Sequence, residues 1–360
     1  MPTLSLAQYS IFIDDLAVSW AKFIGEYNNY SQYIILTDEV CHKYCLQVFY
    51  QNANDTQQFP CIVVRTGEVY KNIGTCKQIW SELARLKADR NTLLINLGGG
   101  VIGDMGGFAA ATYKRGIDFV QIPTTLLAQT DASVGGKLGI DFEGVKNMIG
   151  LFASPKAVFI DPIFLQTLPP PQLYSGLAEM FKHALLSNRE HWNDLKSKKY
   201  LHLSTKEWQD LLCQSVNIKR QVVEKDPKEK GLRQILNLGH TAGHAFESWS
   251  LEKRVPPLLH GEAVAWGMVL ALQLSHQLLG FPKSDLQVIS RFFKKTYPSF
   301  KLPASEKDAF FKYMYQDKKN VQQSICFVLL QCIGHPVYGV EIKENTIWAA
   351  MKTVGLIHEL

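Results

Sequence analysis

The residues with the most chemistry in them are histidines and acids. His240-Thr-Ala-Gly-His244 sets two imidazoles four residues apart, which on a helix puts them on one face. His260-Gly-Glu262 opens another apolar run, and Glu179 stands in a third beside Lys182 and His183. Two histidines and a carboxylate with one coordination position left open form the ligand pattern of a catalytic zinc ion. Spacing alone does not select three ligands from Glu179, His183, His240, His244, His260 and Glu262.

A second kind of chemistry lies upstream. The apolar run Thr92–Leu97 leads into Gly98-Gly99-Gly100-Val101-Ile102-Gly103-Asp104, where Gly98, Gly100 and Gly103 match GxGxxG and apolar residues follow. A strand, a glycine turn and a helix start bring backbone amides and the positive helix end to a pyrophosphate. Spacing offers Asp118 as the acid for a ribose, but it lies inside another apparent strand. A third polar segment, Tyr113–Asn147, carries Arg115, Asp131, Lys137, Lys146 and Asn147. Its cations and amide suit a phosphate and a carboxylate.

These groups need elements to hold them. In the first half, β-branched runs at Tyr33–Thr37, Cys61–Val64, Thr92–Leu97, Phe119–Pro123 and Ala157–Ile160 alternate with helical stretches such as Ile79–Lys87. That alternation predicts a parallel sheet covered on both faces. After Pro162 the texture turns helical, over Glu179–Ser187, Glu207–Glu224, His240–Ser248, Gly261–Leu279 and Leu286–Lys295, with few strands. The expected fold is a Rossmann-like α/β dinucleotide-binding domain over residues 1–161, then a mostly helical metal- and substrate-binding domain over 162–360. Two domains also follow from the length of 360 residues, since single cores stop growing near roughly 250–300.

Composition narrows the partners. A net charge of +5 is too small and dispersed for a nucleic-acid binder and suits an anionic small molecule. No apolar run reaches the length of a membrane span, and the early acidic residues do not read as a signal peptide. Seven cysteines, none in a CxxC pair, fit reduced thiols in a cytoplasmic protein.

In order along the chain, GGGVIGDMGGF, RG…PTTLLAQTDASVGGK, KN, SGLAEMFKH, KGLRQILNLGHTAGHAFE and HGEAVAWGM resemble the 3-dehydroquinate synthases, from about Asp38 to about Asn320. The resemblance implies a homodimeric, NAD- and zinc- (or cobalt-) dependent enzyme acting on a seven-carbon sugar phosphate. That substrate is 3-deoxy-D-arabino-heptulosonate 7-phosphate. It would be oxidised at C5, lose phosphate by β-elimination, be reduced again, open its ring and close a carbocycle by an aldol step.

The same resemblance assigns the metal to Glu179, His240 and His260, with His244 and Glu229 as proton carriers and His183 structural. Substrate contacts fall on Arg115, Asp131, Lys137, Asn147, Lys182, Lys219, Arg233, Asn237 and Lys318 (or its neighbour Lys319), with Arg115 reaching in from the neighbouring subunit. NAD contacts fall on Asp38, Glu68, Lys71, Gly99, Gly100, Val101, Asp104, Thr124, Thr125, Lys146, Phe164 and Thr167. The chain departs from the family pattern at Pro171-Gln172, where Arg-Glu is usual, and in a longer segment between His244 and His260. The rival readings are a sister sugar phosphate cyclase of valiolone or deoxy-inosose type, a metal-dependent polyol dehydrogenase, and a non-catalytic relative.

Overall fold

The computed structural model describes residues 3–6, 8–27, 29–53, 58–143, 145–315 and 325–358. The chain divides into two compact units, one of Met1–Pro169 with His202–Glu224, the other of Pro170–Leu201 with Lys225–Leu360.

The first unit is built on a sheet. Its elements begin with β1 (Thr3–Leu6), β2 (Tyr9–Ile13), α1 (Leu16–Glu26), β3 (Gln32–Asp38), α2 (Glu39–Tyr44), α3 (Leu46–Ala53) and β4 (Cys61–Val64). Then come α4 (Ile73–Arg85), β5 (Thr92–Gly98), α5 (Gly100–Thr112), β6 (Asp118–Pro123), the antiparallel hairpin β7 (Lys137–Phe142) and β8 (Val145–Phe152), and β9 (Ala157–Ile160). The sheet order is β1-β2-β9-β6-β5-β3-β4, parallel except for the β1–β2 pair. The five apolar runs are therefore strands of one sheet, as expected.

Because both faces are covered, β5 is buried at every residue. Leu93, Ile95 and Leu97 pack with Trp20, Phe49 and Phe159 on one face, while Leu94 packs with Ile79, Leu83 and Met105 on the other. Each such buried side chain contributes about 1.5–3 kcal/mol. The chain passes from β3 outward to β4, then back across β3 to β5. The direction of winding thus reverses between β3 and β5, and Gly98–Gly100 emerges at that crevice. Helix α5 lies close on the sheet. A Cβ on Gly106 would stand 2.0 Å from the Asn96 Oδ1, so this position takes no side chain.

The second unit is mainly helical: α6 (Pro170–Ser187), α7 (Arg189–Ser197), α9 (His240–Lys253), α10 (His260–Leu279), α11 (Lys283–Thr296), α12 (Lys307–Tyr315) and α13 (Glu344–Val354). The intervening α8 (Thr205–Lys225) belongs almost wholly to the first unit. Helix α10 is buried without a break from Gly261 to Ser275, which marks it as the central helix, with α6, α9, α11 and α13 around it. Strands β10 (Leu302–Pro303) and β13 (Ile357–His358) pair in parallel, and β11 (Ile325–Cys332) and β12 (His335–Ile342) form an antiparallel hairpin. The spacing of helices α9 and α10 is fixed by glycine. A Cβ on Gly267 would fall 1.9 Å from the Gly239 carbonyl oxygen. Among the described residues no helix is long and apolar enough to cross a membrane.

Candidate metal centre and dinucleotide turn

In the second unit Glu179 comes from the middle of α6, His240 from the first position of α9 and His260 from the first position of α10. Ligand atoms of the three lie within 4.8 Å of one another. The Glu179 Oε1 stands 3.3 Å from His240 Nε2 and 3.7 Å from His260 Nε2.

The other ring nitrogens explain this orientation. His240 Nδ1 faces the Leu238 carbonyl at 3.3 Å, and a carbonyl only accepts, so Nδ1 carries the proton. His260 Nδ1 faces the Glu247 carboxylate at 3.2 Å, with the same result. Two Nε2 lone pairs and a carboxylate then point at one spot. Three acceptors around one spot suit a cation, so the ligand set fits a divalent ion.

Without an ion a proton meets part of this demand. Burial lowers the His260 pKa, but the Glu247 and Glu179 carboxylates outweigh it and push the group up to about 10. Burial lowers His240 to about 4, which keeps that ring neutral and ready to ligate. Lys182, buried one helical turn beyond Glu179, is ion-paired with it.

Other acids and histidines of this unit have different work. The Glu262 Oε2 accepts from the Leu259 amide at 2.9 Å, so it caps α10. His183 is fully buried in α6. His244 lies one turn beyond His240, its ring 5.3 Å from that of His240 and 6.0 Å from that of His260. Asn237 Nδ2 donates to Glu229 Oε1 at 2.8 Å, which joins the amide assigned to substrate and the candidate base. Arg233 is buried, and its Nη1 donates to the Pro227 carbonyl at 2.5 Å. Asp226 ties this loop together by accepting from the amides of Lys230, Gly231 and Arg233. Lys318 lies outside the described residues.

In the first unit α5 starts at Gly100 with Gly99 as its N-cap, and glycine has no side chain to cap the first amides. Around the turn, the Thr124 amide donates to the Gly98 carbonyl at 3.0 Å and the Thr125 hydroxyl accepts from the Ala128 amide. Asp38, at the end of β3, caps α2 through the amides of Val40 and Cys41 and accepts from Thr66. Lys71 is buried and donates to Asp104 Oδ2 and to Asn147 Oδ1, both at 2.6 Å. Burial opposes its charge, yet Asp104 and Glu68 hold its pKa above the ordinary lysine value. Lys146 stands 3.6 Å from Glu68. Phe164 is buried and Thr167 ends the short 3-10 helix Pro162–Thr167.

Asp118 is at the opposite end of the sheet from the glycine turn, where it accepts from Tyr30 and pairs with Lys156 at 3.3 Å. That position rules it out as the partner of a ribose at the turn. Lys219, on α8, donates to the Asp131 carbonyl at 2.6 Å and pairs with its carboxylate at 2.8 Å. Lys137 is exposed at the start of β7 and Arg115 is exposed before β6. Arg115, Asn147 and Glu229 are three of the six non-glycine residues with positive φ among the described residues, a strained state that collects at functional sites.

Reasoning from sequence missed Glu247, the partner of His260, and Asp226, the organiser of the Arg233 loop. Glu247 had a signal: it follows His240 and His244 at the i, i+4, i+7 helical spacing.

A family model described as 3-dehydroquinate synthase N-terminal matches residues 61–175, and one described as 3-dehydroquinate synthase C-terminal matches residues 176–320. The chain is 44% identical over 332 residues to the 3-dehydroquinate synthase of Parabacteroides distasonis, covering 91% of this chain and 92% of that one. It is 40% identical over 355 residues to that of Acetivibrio thermocellus, covering 96% of each. Among solved structures it resembles a 2-epi-5-epi-valiolone synthase from Streptomyces hygroscopicus subsp. jinggangensis with NAD+ and Zn2+ bound. That likeness has a TM-score of 0.84 at 24% identity and covers 98% of each chain.

Proposed function

The chain belongs to the 3-dehydroquinate synthase family, and from that premise we propose how its residues divide the work of a carbon–oxygen lyase acting on a phosphate ester. The reaction turns 3-deoxy-D-arabino-heptulosonate 7-phosphate into 3-dehydroquinate and phosphate, a step of the shikimate pathway. The observation that carries the reading is the convergence of Glu179, His240 and His260 within 4.8 Å.

When bound, NAD supplies a hydride acceptor that later acts as donor, and a divalent ion, Zn2+ or Co2+, supplies a Lewis acid. The metal residues are Glu179, His240 and His260. The cofactor residues are the turn Gly99-Gly100-Val101, the acids Asp38, Glu68 and Asp104, the lysines Lys71 and Lys146, and Thr124, Thr125, Phe164 and Thr167. Lys71 suits that role because its ion pair keeps it charged while buried.

His244 holds a proton at a ring nitrogen. Glu229 takes one at the carboxylate that Asn237 orients. Lys182, Lys219, Arg233, Asn237, Lys137, Asn147 and Lys318 hold the phosphate and carboxylate of the substrate in one geometry, which removes an entropic part of the barrier, and Asp131, paired with Lys219, contacts the substrate beside them. Arg115 serves the neighbouring active site of a homodimer. The enzyme works in the cytoplasm on a small sugar phosphate, without nucleic acid or membrane.

The nearest rival, a valiolone-type cyclase, takes a substrate without the carboxylate. Arg233 offers a planar fork that a lysine does not copy. A buried donor left unpaired costs about 1–3 kcal/mol, more for a charged one such as the Arg233 guanidinium, so a sugar phosphate without the carboxylate would be used far less well. The test compares the heptulosonate phosphate with sedoheptulose 7-phosphate, each with catalytic NAD. Phosphate release from the first alone, without net NADH at equilibrium, is the expected result. Equal use of both would overturn the assignment, and stoichiometric NADH would move the chain to the dehydrogenases.

A further inference from the structure

We infer that Glu247 is a positioning residue for the metal site, fixing the tautomer and ring orientation of His260 from outside the ligand shell. The inference rests on the metal reading above.

Glu247 is buried, 6% exposed, and its Oε2 lies 3.2 Å from His260 Nδ1. It sits on α9, two helical turns beyond His240, whereas His260 opens α10. One helix therefore supplies both a ligand and the group that orients a ligand on the next helix. The contact has a chemical direction. An ionised carboxylate only accepts, so Nδ1 of His260 donates, which leaves the Nε2 lone pair for an ion held together with Glu179. A carboxylate behind a ligating imidazole also raises the basicity of the ring.

His240 provides an internal contrast. Its Nδ1 rests on a neutral backbone carbonyl, that of Leu238. The two imidazoles are thus held by unlike acceptors, one neutral and one anionic. Glu247 adds a second negative charge to that of Glu179, one of which Lys182 offsets, so the cluster keeps a net negative charge toward a divalent cation. His260 is the more accessible of the two rings, with 27% of its side chain exposed against 11% for His240. Packing restrains it less, and the acid matters more to its aim.

The test uses the full-length protein, stripped of metal and titrated with Zn2+ against a chromophoric chelator, and separately loaded with Co2+ for its visible spectrum. Outer-shell partners carry roughly 10–100-fold in metal affinity, and Glu247→Ala is expected to weaken Zn2+ by that factor and to alter the Co2+ bands. Glu247→Gln keeps the volume and one acceptor oxygen. It is expected to recover part of the loss while staying at least roughly threefold weaker than the parent. His240→Ala is the control for the site itself and should lose the ion altogether. If His240→Ala binds zinc normally, the metal reading fails and the inference with it. If His240→Ala loses the ion while Glu247→Ala matches the parent in affinity and spectrum, the metal reading stands and the role of Glu247 is wrong. If Glu247→Ala does not fold, a Glu247→Gln protein identical to the parent on both readouts is equally decisive against it.

Discussion

In the first unit the groups proposed for the dinucleotide centre on the backbone of one short segment, Gly98 to Val101, at the crevice where the sheet reverses its winding, with side chains such as Asp38 and Lys71 added to it. In the second they are side chains brought together from three helices, with Glu179, His240 and His260 each at a different address in the chain. A backbone site is specified by what is missing, since a Cβ at Gly98 would meet Ile102 at 2.7 Å and one at Gly99 would meet Thr125 at 3.2 Å. A side-chain site is specified by packing, because only the spacing of α6, α9 and α10 makes three acceptors meet. Substitutions should therefore split by unit, and each variant below is read for zinc content, NAD affinity and stability alike.

The largest effect belongs to a ligand. His240→Ala should abolish turnover and zinc retention, well beyond the roughly 10–100-fold carried by outer-shell groups, with NAD affinity kept. Metal content by mass spectrometry and NAD titration check it, and joint loss of both ligands would erase the contrast between the units.

Lys71→Met comes next. It strips the ammonium from Asp104, and breaking a buried pair costs about 3–5 kcal/mol. Urea unfolding should show that loss together with weaker NAD binding and unchanged zinc content. Adding Asp104→Asn to this variant should restore part of the stability.

A pair of glycines sharpens the contrast further. Gly106→Ala would push a methyl group to 2.0 Å from the Asn96 amide oxygen, and Gly267→Ala to 1.9 Å from the Gly239 carbonyl. Overpacking of this kind typically costs about 1–3 kcal/mol, less at Gly106, where the Asn96 and Leu36 side chains can give, than at Gly267, where the Gly239 backbone cannot. Their functional losses should differ, NAD for the first and zinc for the second. Crossed results would mean that α5 or the α9–α10 spacing has been given the wrong task.

The smallest effect is expected from Asp118→Asn. Its carboxylate is 42% exposed and far from the turn, so stability should stay within about 0.5 kcal/mol and NAD affinity should not move. A weakened NAD complex would return Asp118 to the cofactor.

The same contrast explains what could be read before the structure. The glycine turn was legible because strand, turn and helix start are contiguous and each leaves a local mark. The His240–His244 pair was legible because helical spacing is local too. The choice among Glu179, Glu262 and His183 was not legible in the spacing and came only with the family resemblance. Glu262 caps α10, but its N-cap is Leu259, so the usual serine or threonine signal is absent. Asp118 answered to spacing in the sequence, while a ribose answers to position in the sheet. The link from Lys71 to Asn147 spans 76 residues and carries no local pattern at all. The hairpin β7–β8 escaped for a different reason: β8 is exposed along most of its length, so it lacks the apolar alternation that announces a strand.

One feature of the chain path bears on how the molecule is made. Lys219 completes its pair with Asp131 from 88 residues away, after the chain has left the first unit through α6 and α7 and come back as α8. On a ribosome moving at about 5–20 residues per second, α8 follows Asp131 by roughly 4–18 s. The dinucleotide unit therefore cannot finish before part of the metal unit has been synthesised. A fragment ending at Pro169 would lack α8, so cutting the gene at that apparent boundary should yield an incomplete domain. The long sequence separation of this closing contact also favours slow folding, with the late arrival of one helix setting when the first unit is whole.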